Sequence, residues 1–221
     1  MEIVARIYTD FDEKFGIPRQ SSLVPELYGR IVFEPAYRDL QMLKGLEGFS
    51  WIWLIWQFDR VPEGKWSPTV RPPKLGGNRH MGVFATRSPF RPNPIGLSSV
   101  RLEKILPQTP DGPVIIVSGA DIVNGTPIYD IKPYIAYSDS HPEALGGFTE
   151  EVERTQLEVI IPEDLLCKIP EEKRPALMGV LAQDPRPGYH QDGDRIYGIS
   201  FAGHNVRFTV KDHLLTVSGI S

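Results

Sequence analysis

Apolar runs along the first two thirds of the chain read mostly as strands, and the first of them alternates with a period of two. Ile3, Ala5 and Ile7 alternate with Val4, Arg6 and Tyr8, which predicts a first strand. A second short strand is predicted over residues 29–33. Tyr37, Leu40 and Leu43 instead recur at helical spacing, predicting a helix over 37–44 that stops near Gly45. Residues 51–58 are dense in aromatic and branched side chains and predict a buried central strand. Most of its tryptophans are assigned to the core, with a nucleobase platform as the alternative. Further strands are predicted at 81–85, 97–105 and 114–119, and 121–127 is a polar, turn-rich segment. If residues 128–134 are extended, period two places Asp130, Lys132 and Tyr134 on one face, and Pro133 then requires an edge position.

From about Ser138 to Thr149 the composition shifts to Asp, Ser, His, Pro and Gly, as in a linker. Beyond it the pattern predicts a strand at 156–161 and a helical turn at 162–167. A helix follows at 174–182, with Ala176, Leu177, Val180 and Leu181 inward. Three strands at 195–201, 205–210 and 214–217 complete a small antiparallel sheet. Many strands, few helices and no βαβ rhythm define a mainly-β fold. The division read from this pattern is a main domain at 1–140, a linker at 141–154 and a small α+β C-terminal domain at 155–221.

Charge is segregated. The chain has 24 Lys+Arg against 28 Asp+Glu, a net −4, yet residues 60–101 hold eight Lys/Arg and one acid, Glu63. A local +7 inside an acidic protein is the footprint of an anionic partner. Seven of the 21 prolines lie in the same window. Pro89, Pro92 and Pro94 hold Ser88, Arg91 and Asn93 away from helix, so Arg87 and Arg91 sit on a stiff loop. Their guanidinium groups suit bidentate capture of carboxylate or phosphate. The plain alternative is a proline-rich surface loop with solvated arginines.

Several chemistries find no support. One cysteine, Cys167, excludes an internal disulfide, and no Cys/His spacing suits zinc. Neither a Gly-x-Gly-x-x-Gly after a strand nor a phosphate loop occurs, and no Ser or Cys lies in a nucleophile elbow. Asn124-Gly125-Thr126 matches a glycosylation acceptor, but the first residues lack the pattern of a signal peptide. No run approaches membrane-spanning length, and a cytoplasmic location is expected.

The block Gly82-Val83-Phe84-Ala85-Thr86-Arg87-Ser88-Pro89-Phe90-Arg91-Pro92-Asn93-Pro94-Ile95-Gly96 resembles the TrmO (YaeB/TsaA-like) family of tRNA N6-methyltransferases. The likeness extends through Arg71-Pro72-Pro73-Lys74-Leu75-Gly76-Gly77-Asn78, Asp130-Ile131-Lys132-Pro133-Tyr134 and Leu181-Ala182-Gln183-Asp184-Pro185-Arg186-Pro187. These blocks are long, specific and span both proposed domains. The resemblance implies a homodimer with a single-sheet β-barrel methyltransferase fold. It implies S-adenosylmethionine as cofactor and N6 of threonylcarbamoyladenosine, beside the anticodon of tRNA, as the atom methylated. The alternative is a non-enzymatic module that binds an adenine-containing small molecule or RNA.

Carried over residue by residue, the resemblance implies a cofactor site from Pro18, Arg19, Gln20, Asp59, Arg60, Thr86, Arg87, Leu97, Asp121, Ile122, Val123, Asn124, Gly125 and Thr126. These lie in loops and at strand ends that can meet at one barrel rim. No metal is expected. The acceptor N6 has a delocalised lone pair, so removing its proton matters, and Asp130 is the candidate base. Lys132 either holds the threonyl carboxylate or tunes Asp130, and Tyr134 either stacks on the base or hydrogen-bonds it. Asp130 and Lys132 as a structural ion pair is the alternative. Arg71, Lys74, Arg79, Arg91, Asn93 and Arg186 are the candidate substrate and tRNA contacts, and the C-terminal domain is read as tRNA-holding.

Overall fold

A computed structural model of the chain describes residues 1–62, 64–72, 75, 79–151, 156–186 and 193–221. Among these, six antiparallel strands close into a barrel in the order β1-β2-β7-β6-β3-β8. The strands are β1 (Ala5–Tyr8), β2 (Tyr28–Phe33), β3 (Trp51–Gln57), β6 (Ile95–Leu106), β7 (Val114–Ser118) and β8 (Thr126–Pro133). Between β3 and β6, β4 (Thr69–Val70) and β5 (Met81–Gly82) form a minimal antiparallel pair.

Alternation along the strands is what allows closure. Ile52, Leu54 and Trp56 of β3 are buried, as are Gly96, Ser98 and Val100 of β6, while the residues between them face outward. Each large aliphatic side chain so enclosed contributes roughly 1.5–3 kcal/mol. Gly96 has a steric reason. A Cβ there would lie 2.2 Å from Cε2 of Trp56, so the indole occupies the space any side chain would need.

Because every barrel pairing is antiparallel, alternate connections leave at the same end. Residues 9–27, 58–94 and 119–125 therefore emerge at one rim, which is where the candidate cofactor segments lie. The first of these loops folds down over the outer wall. Ser22 N donates to Gly119 O at 2.8 Å, and Ser22 Oγ donates to Ser99 O of β6 at 3.3 Å. Gly119 has φ +75, and a Cβ on it would stand 3.0 Å from Ser22 Cα, so glycine permits both the turn and the approach.

In the C-terminal region, β9 (Glu158–Ile160), β10 (Tyr197–Phe201), β11 (His204–Lys211) and β12 (Leu214–Ile220) form a sheet of order β10-β11-β12-β9, with β9 parallel to β12. Helix α3 (Arg174–Ala182) buries Ala176, Leu177, Val180 and Leu181, the four positions its spacing predicts. The core beneath it also receives Phe11, Val24 and Leu27 from the long β1–β2 loop. Phe11 meets Phe201 edge to face at 5.5 Å. The loop that starts in the barrel is thus held by the C-terminal sheet.

Four local expectations are corrected. Residues 37–44 form no α-helix but short 3₁₀ turns, Pro35–Tyr37 and Leu40–Leu43. The Asp39 carboxylate accepts from Gln41 N and restarts the chain between them, and Gly45 at φ 89 ends the run. Only Met81–Gly82 of the strand predicted at 81–85 is extended. Val83–Ala85 turns, because Thr86 N and Oγ1 both donate to Val83 O. Pro133 lies not on an edge strand but at the half-paired end of a barrel strand: β8 pairs β1 only at residues 126–128, so Pro133, its last residue, faces Ile52 of β3 on one side and no ladder on the other. Of the tryptophans in β3, only Trp56 is core; Trp51 and Trp53 stand on the outer face. Two short helices not separately predicted or only sketched as turns are α1 (Ala136–Asp139) and α2 (Glu163–Leu166). No helix among the described residues is long and apolar enough to cross a membrane.

Candidate active site

The outer faces of β3, β6 and β8, together with the overlying loops, line an open cavity of about 440 Å³. Its lining includes Ser21, Trp51, Trp53, Arg87, Ser99 and Tyr134. The indoles of Trp51 and Trp53 come from alternate, outward positions of β3, and Ser99 lies directly across the ladder from Trp53. Tyr134 follows β8 and packs on Trp53, with ring centroids 5.6 Å apart. Its backbone N donates to Trp51 O at 2.9 Å. A third contact fixes this wall. Asp139 Oδ2 accepts from Trp53 Nε1 and from Ile135 N, each at 2.9 Å, so α1 clamps the indole edge-on. Those hydrogen bonds, the Ile135 amide first, hold the Asp139 carboxyl below its usual pKa.

Asp130 and Lys132 share the outer face of β8 with Tyr134. Asp130 lies opposite Ile55 and Lys132 opposite Trp53. Their side chains form an ion pair of 2.8 Å, and both remain about half exposed to solvent. At that exposure the pair contributes little to stability, so its geometry is better understood as a local electrostatic setting than as a structural tie. Asp130 Oδ1 also accepts from Ile131 N at 2.9 Å, which fixes the carboxylate's orientation.

The candidate cofactor residues fall into two groups at the rim. In the first, Arg87 Nη1 donates to Gln20 Oε1, and Arg19 Nη2 donates to Arg186 O at 3.3 Å. Asp121 Oδ1 accepts from Ser98 Oγ at 2.6 Å, and Ser98 Oγ in turn accepts from Trp56 Nε1 at 3.0 Å. Burial pushes the Asp121 carboxyl above its usual pKa, against the opposing pull of the Ser98 hydroxyl, the Arg87 charge and the Ser21 amide. In the second group, Arg60 donates through Nη1 to Asp12 O and through Nη2 to Asn124 O at 3.1 Å. Asn124 Nδ2 donates to Asp12 Oδ1 at 3.0 Å, and Thr126 Oγ1 donates to Val123 O at 2.7 Å. Pro18 is buried, whereas Asp59 and Leu97 are exposed; Leu97 lies on the outer face of β6.

The candidate tRNA contacts are more scattered. Arg71 is exposed, and its Nε donates to His80 Nε2 at 2.9 Å. Arg79 pairs with Glu151 at 2.5 Å. Arg91 Nη1 donates to Thr86 O at 3.2 Å, which ties it to its own loop, and Asn93 is exposed. Arg186 is locked by Asp184 through Nε and Nη2 at 2.8 and 2.9 Å. Lys74 lies outside the described residues. Ser21, Ser99 and Asp139 are not among the residues the sequence singles out, and Trp51 and Trp53 are assigned there to the core with a nucleobase platform only as the alternative. Ser21 adjoins the Pro18–Gln20 segment, and nothing in the pattern distinguishes Ser99 or Asp139.

The description "tRNA-methyltransferase O N-terminal domain" matches residues 6–140, and "TrmO C-terminal domain" matches residues 154–221. The chain belongs to the TrmO family. A tRNA (adenine(37)-N6)-methyltransferase of Escherichia coli (strain K12) is 38% identical over 219 residues, covering 96% of this chain and 93% of the relative. An enzyme of the same name from Eikenella corrodens is 41% identical over 173 residues, covering 78% of this chain and 97% of the relative. A crystal structure of TrmO from Pseudomonas aeruginosa superposes with a TM-score of 0.79 at 30% identity, covering all of this chain and 96% of the other. The barrel and the C-terminal sheet thus both have counterparts in one TrmO structure.

Proposed function

We propose that this TrmO-family chain is a tRNA methyltransferase that transfers a methyl group from S-adenosylmethionine to N6 of threonylcarbamoyladenosine next to the anticodon. The observation that carries the reading is the cavity on the barrel wall. Its lining joins Arg87 and Ser21, beside the candidate cofactor loops, to Tyr134 beside the candidate base. Donor and acceptor must meet at one place, and this is a place both residue sets reach.

The residues present suit the two ligands. Trp51, Trp53 and Tyr134 offer aromatic faces for purine stacking. Arg87 offers a guanidinium to a carboxylate, and enclosed Asp121 offers acceptors to hydroxyl or amino groups. When bound, S-adenosylmethionine supplies an electrophilic methyl group on a sulfonium. The Asp130 carboxylate takes the proton that N6 releases. Lys132, 2.8 Å from Asp130, steadies the carboxylate's position and leaves donors for the threonyl carboxylate. Tyr134, held on Trp53, stacks on or hydrogen-bonds the adenine. In this reading residues 1–140 form the catalytic unit and 155–221 a C-terminal domain that helps hold tRNA, in a cytoplasmic homodimer.

The test is direct. Protein, labelled S-adenosylmethionine and tRNA carrying threonylcarbamoyladenosine are incubated together, with tRNA lacking that group as control. Label in the modified tRNA alone supports the assignment. Binding of both ligands without transfer would instead favour a non-enzymatic adenine- or RNA-binding module.

A further inference from the structure

Arg186 occupies an unusual place for a phosphate contact. Its side chain is only 15% exposed, and its fork is filled by the Asp184 carboxylate of its own turn. Arg186 N also donates to Asp184 Oδ1 at 3.2 Å, so the turn closes on itself. Asp184 adopts φ 51, a conformation that Asp and Asn tolerate better than other side chains. What the closed turn presents outward is the Arg186 carbonyl, and that carbonyl accepts from Arg19 Nη2 at 3.3 Å. The next residue, Gln20, accepts from Arg87, and Ser21 and Arg87 line the cavity.

We propose that the Asp184–Arg186 clasp is a positioning device for Arg87, acting through Arg19 and Gln20, so that the C-terminal sheet sets cofactor affinity as well as supporting tRNA. The inference rests on the proposed reading of the cavity. It accounts for why an arginine here is closed on an aspartate instead of facing solvent. Bidentate pairing fixes the plane of the guanidinium, and the amide bond to the same carboxylate fixes the Arg186 backbone with it. The base of the loop is held by independent contacts. Ala202 N donates to Asp10 O at 2.8 Å, and the Lys173–Asp10 pair measures 2.6 Å. A Cβ on Gly16 would lie 2.8 Å from Ile199 Cγ2, so the loop passes against β10 with no space to spare. Between that anchored base and Arg87, the arm at Arg19–Gln20 is steadied from the C-terminal side by the clasp.

Asp184→Asn keeps the shape and the tolerance of positive φ while removing the charge. Gln20→Ala removes only the acceptor for Arg87. Hydrogen exchange of the intact protein without ligand reads the arm directly, and calorimetry reads S-adenosylmethionine affinity. Both variants are expected to keep a cooperative thermal transition, to speed exchange in the segment 86–91, and to weaken cofactor binding roughly five- to fiftyfold. The double variant is expected to be no worse than Gln20→Ala, because the two lie in series. Unchanged exchange at 86–91 in folded Gln20→Ala and Asp184→Asn would overturn the proposal. So would an Asp184→Asn variant that changes only the salt dependence of tRNA binding, which would return Arg186 to the role of phosphate contact. Faster exchange in both variants, with Arg87→Ala binding cofactor normally, would uphold the coupling and remove the cofactor assignment of the cavity instead.

Discussion

Asp121 shows how a single carboxylate divides stability from function. Its pKa is raised chiefly by burial, with Ser98, Arg87 and Ser21 opposing. A raised folded-state pKa means that this group stabilises the protein below the ordinary carboxylate range, and that this stability is lost as pH climbs through the raised value. Above the ordinary carboxylate range Asp121 is therefore a local cost. Asp121→Asn, which can still accept from Ser98, should raise the melting temperature at pH 7 and flatten its decline above the acid range, while cofactor affinity falls. Equal cofactor affinity in the variant would mean the buried carboxylate has another use. At Asp130 the expectation is opposite in kind. The residue is half exposed and its ion pair adds little stability. Asp130→Asn should lower turnover by roughly two to four orders of magnitude, leaving the melting temperature and cofactor affinity nearly unchanged. Single-turnover rates alongside thermal melts would separate a lost base from a lost fold.

At the scale of elements, β3 does two jobs at once. Its inward residues fill the barrel, with Trp56 lying over Gly96, and its outward tryptophans form the cavity wall. Gly96→Ala places a Cβ inside the indole of Trp56, and overpacking of this kind costs roughly 1–3 kcal/mol. Urea titration should show that loss, and Trp56 fluorescence should change with it. The α1 clamp on Trp53 belongs to the same scale. Asp139 has a lowered pKa, so its contribution is present above the ordinary carboxylate range and is lost as pH falls through the folded value. Asp139→Ala should leave the barrel folded but shift Trp53 fluorescence and raise the KM for tRNA, with both effects insensitive to pH in the variant.

At the scale of the whole molecule, the long β1–β2 loop joins barrel and C-terminal sheet through a shared core. Phe11, Val24 and Leu27 are buried against side chains beyond residue 156. Truncation near Thr149 would uncover them, so the shortened protein should aggregate or bind an apolar dye, with cofactor affinity reduced as well. Nucleic-acid binding by an acidic protein should run through its basic window. Arg71 is exposed and contacts a histidine, whereas Arg79 is paired with Glu151. Arg71→Ala should therefore flatten the dependence of log affinity on log salt by about one unit, for modified and unmodified tRNA alike, and Arg79→Ala by less. Equal slopes for wild type and Arg71→Ala would place the tRNA backbone elsewhere.

The sequence by itself determined the strand-rich character, the positions of nearly all the strands, the whole of α3 and the common face of Asp130, Lys132 and Tyr134. All of these follow from local period: alternation in strands, and 3.6-residue spacing around Ala176, Leu177, Val180 and Leu181. The family motifs likewise named the rim segments, since a motif is a local pattern. Tertiary structure decided the rest, because the deciding contacts join residues far apart in the chain. Pro133 finds its unpaired side at the end of β8, beyond the last pairing with β1, within a sheet that is closed. Alternation along β3, with Ile52, Leu54 and Trp56 turned inward, took Trp51 and Trp53 out of the core to which hydrophobicity had assigned them, and the loop laid over β6 made that outer face a cleft. Local preference could not reveal that the Arg186 fork is filled by Asp184, or that Arg19, 167 residues earlier, donates to the Arg186 carbonyl. An arginine's charge is written in the sequence, but which partner takes up that charge is settled only when the chain folds.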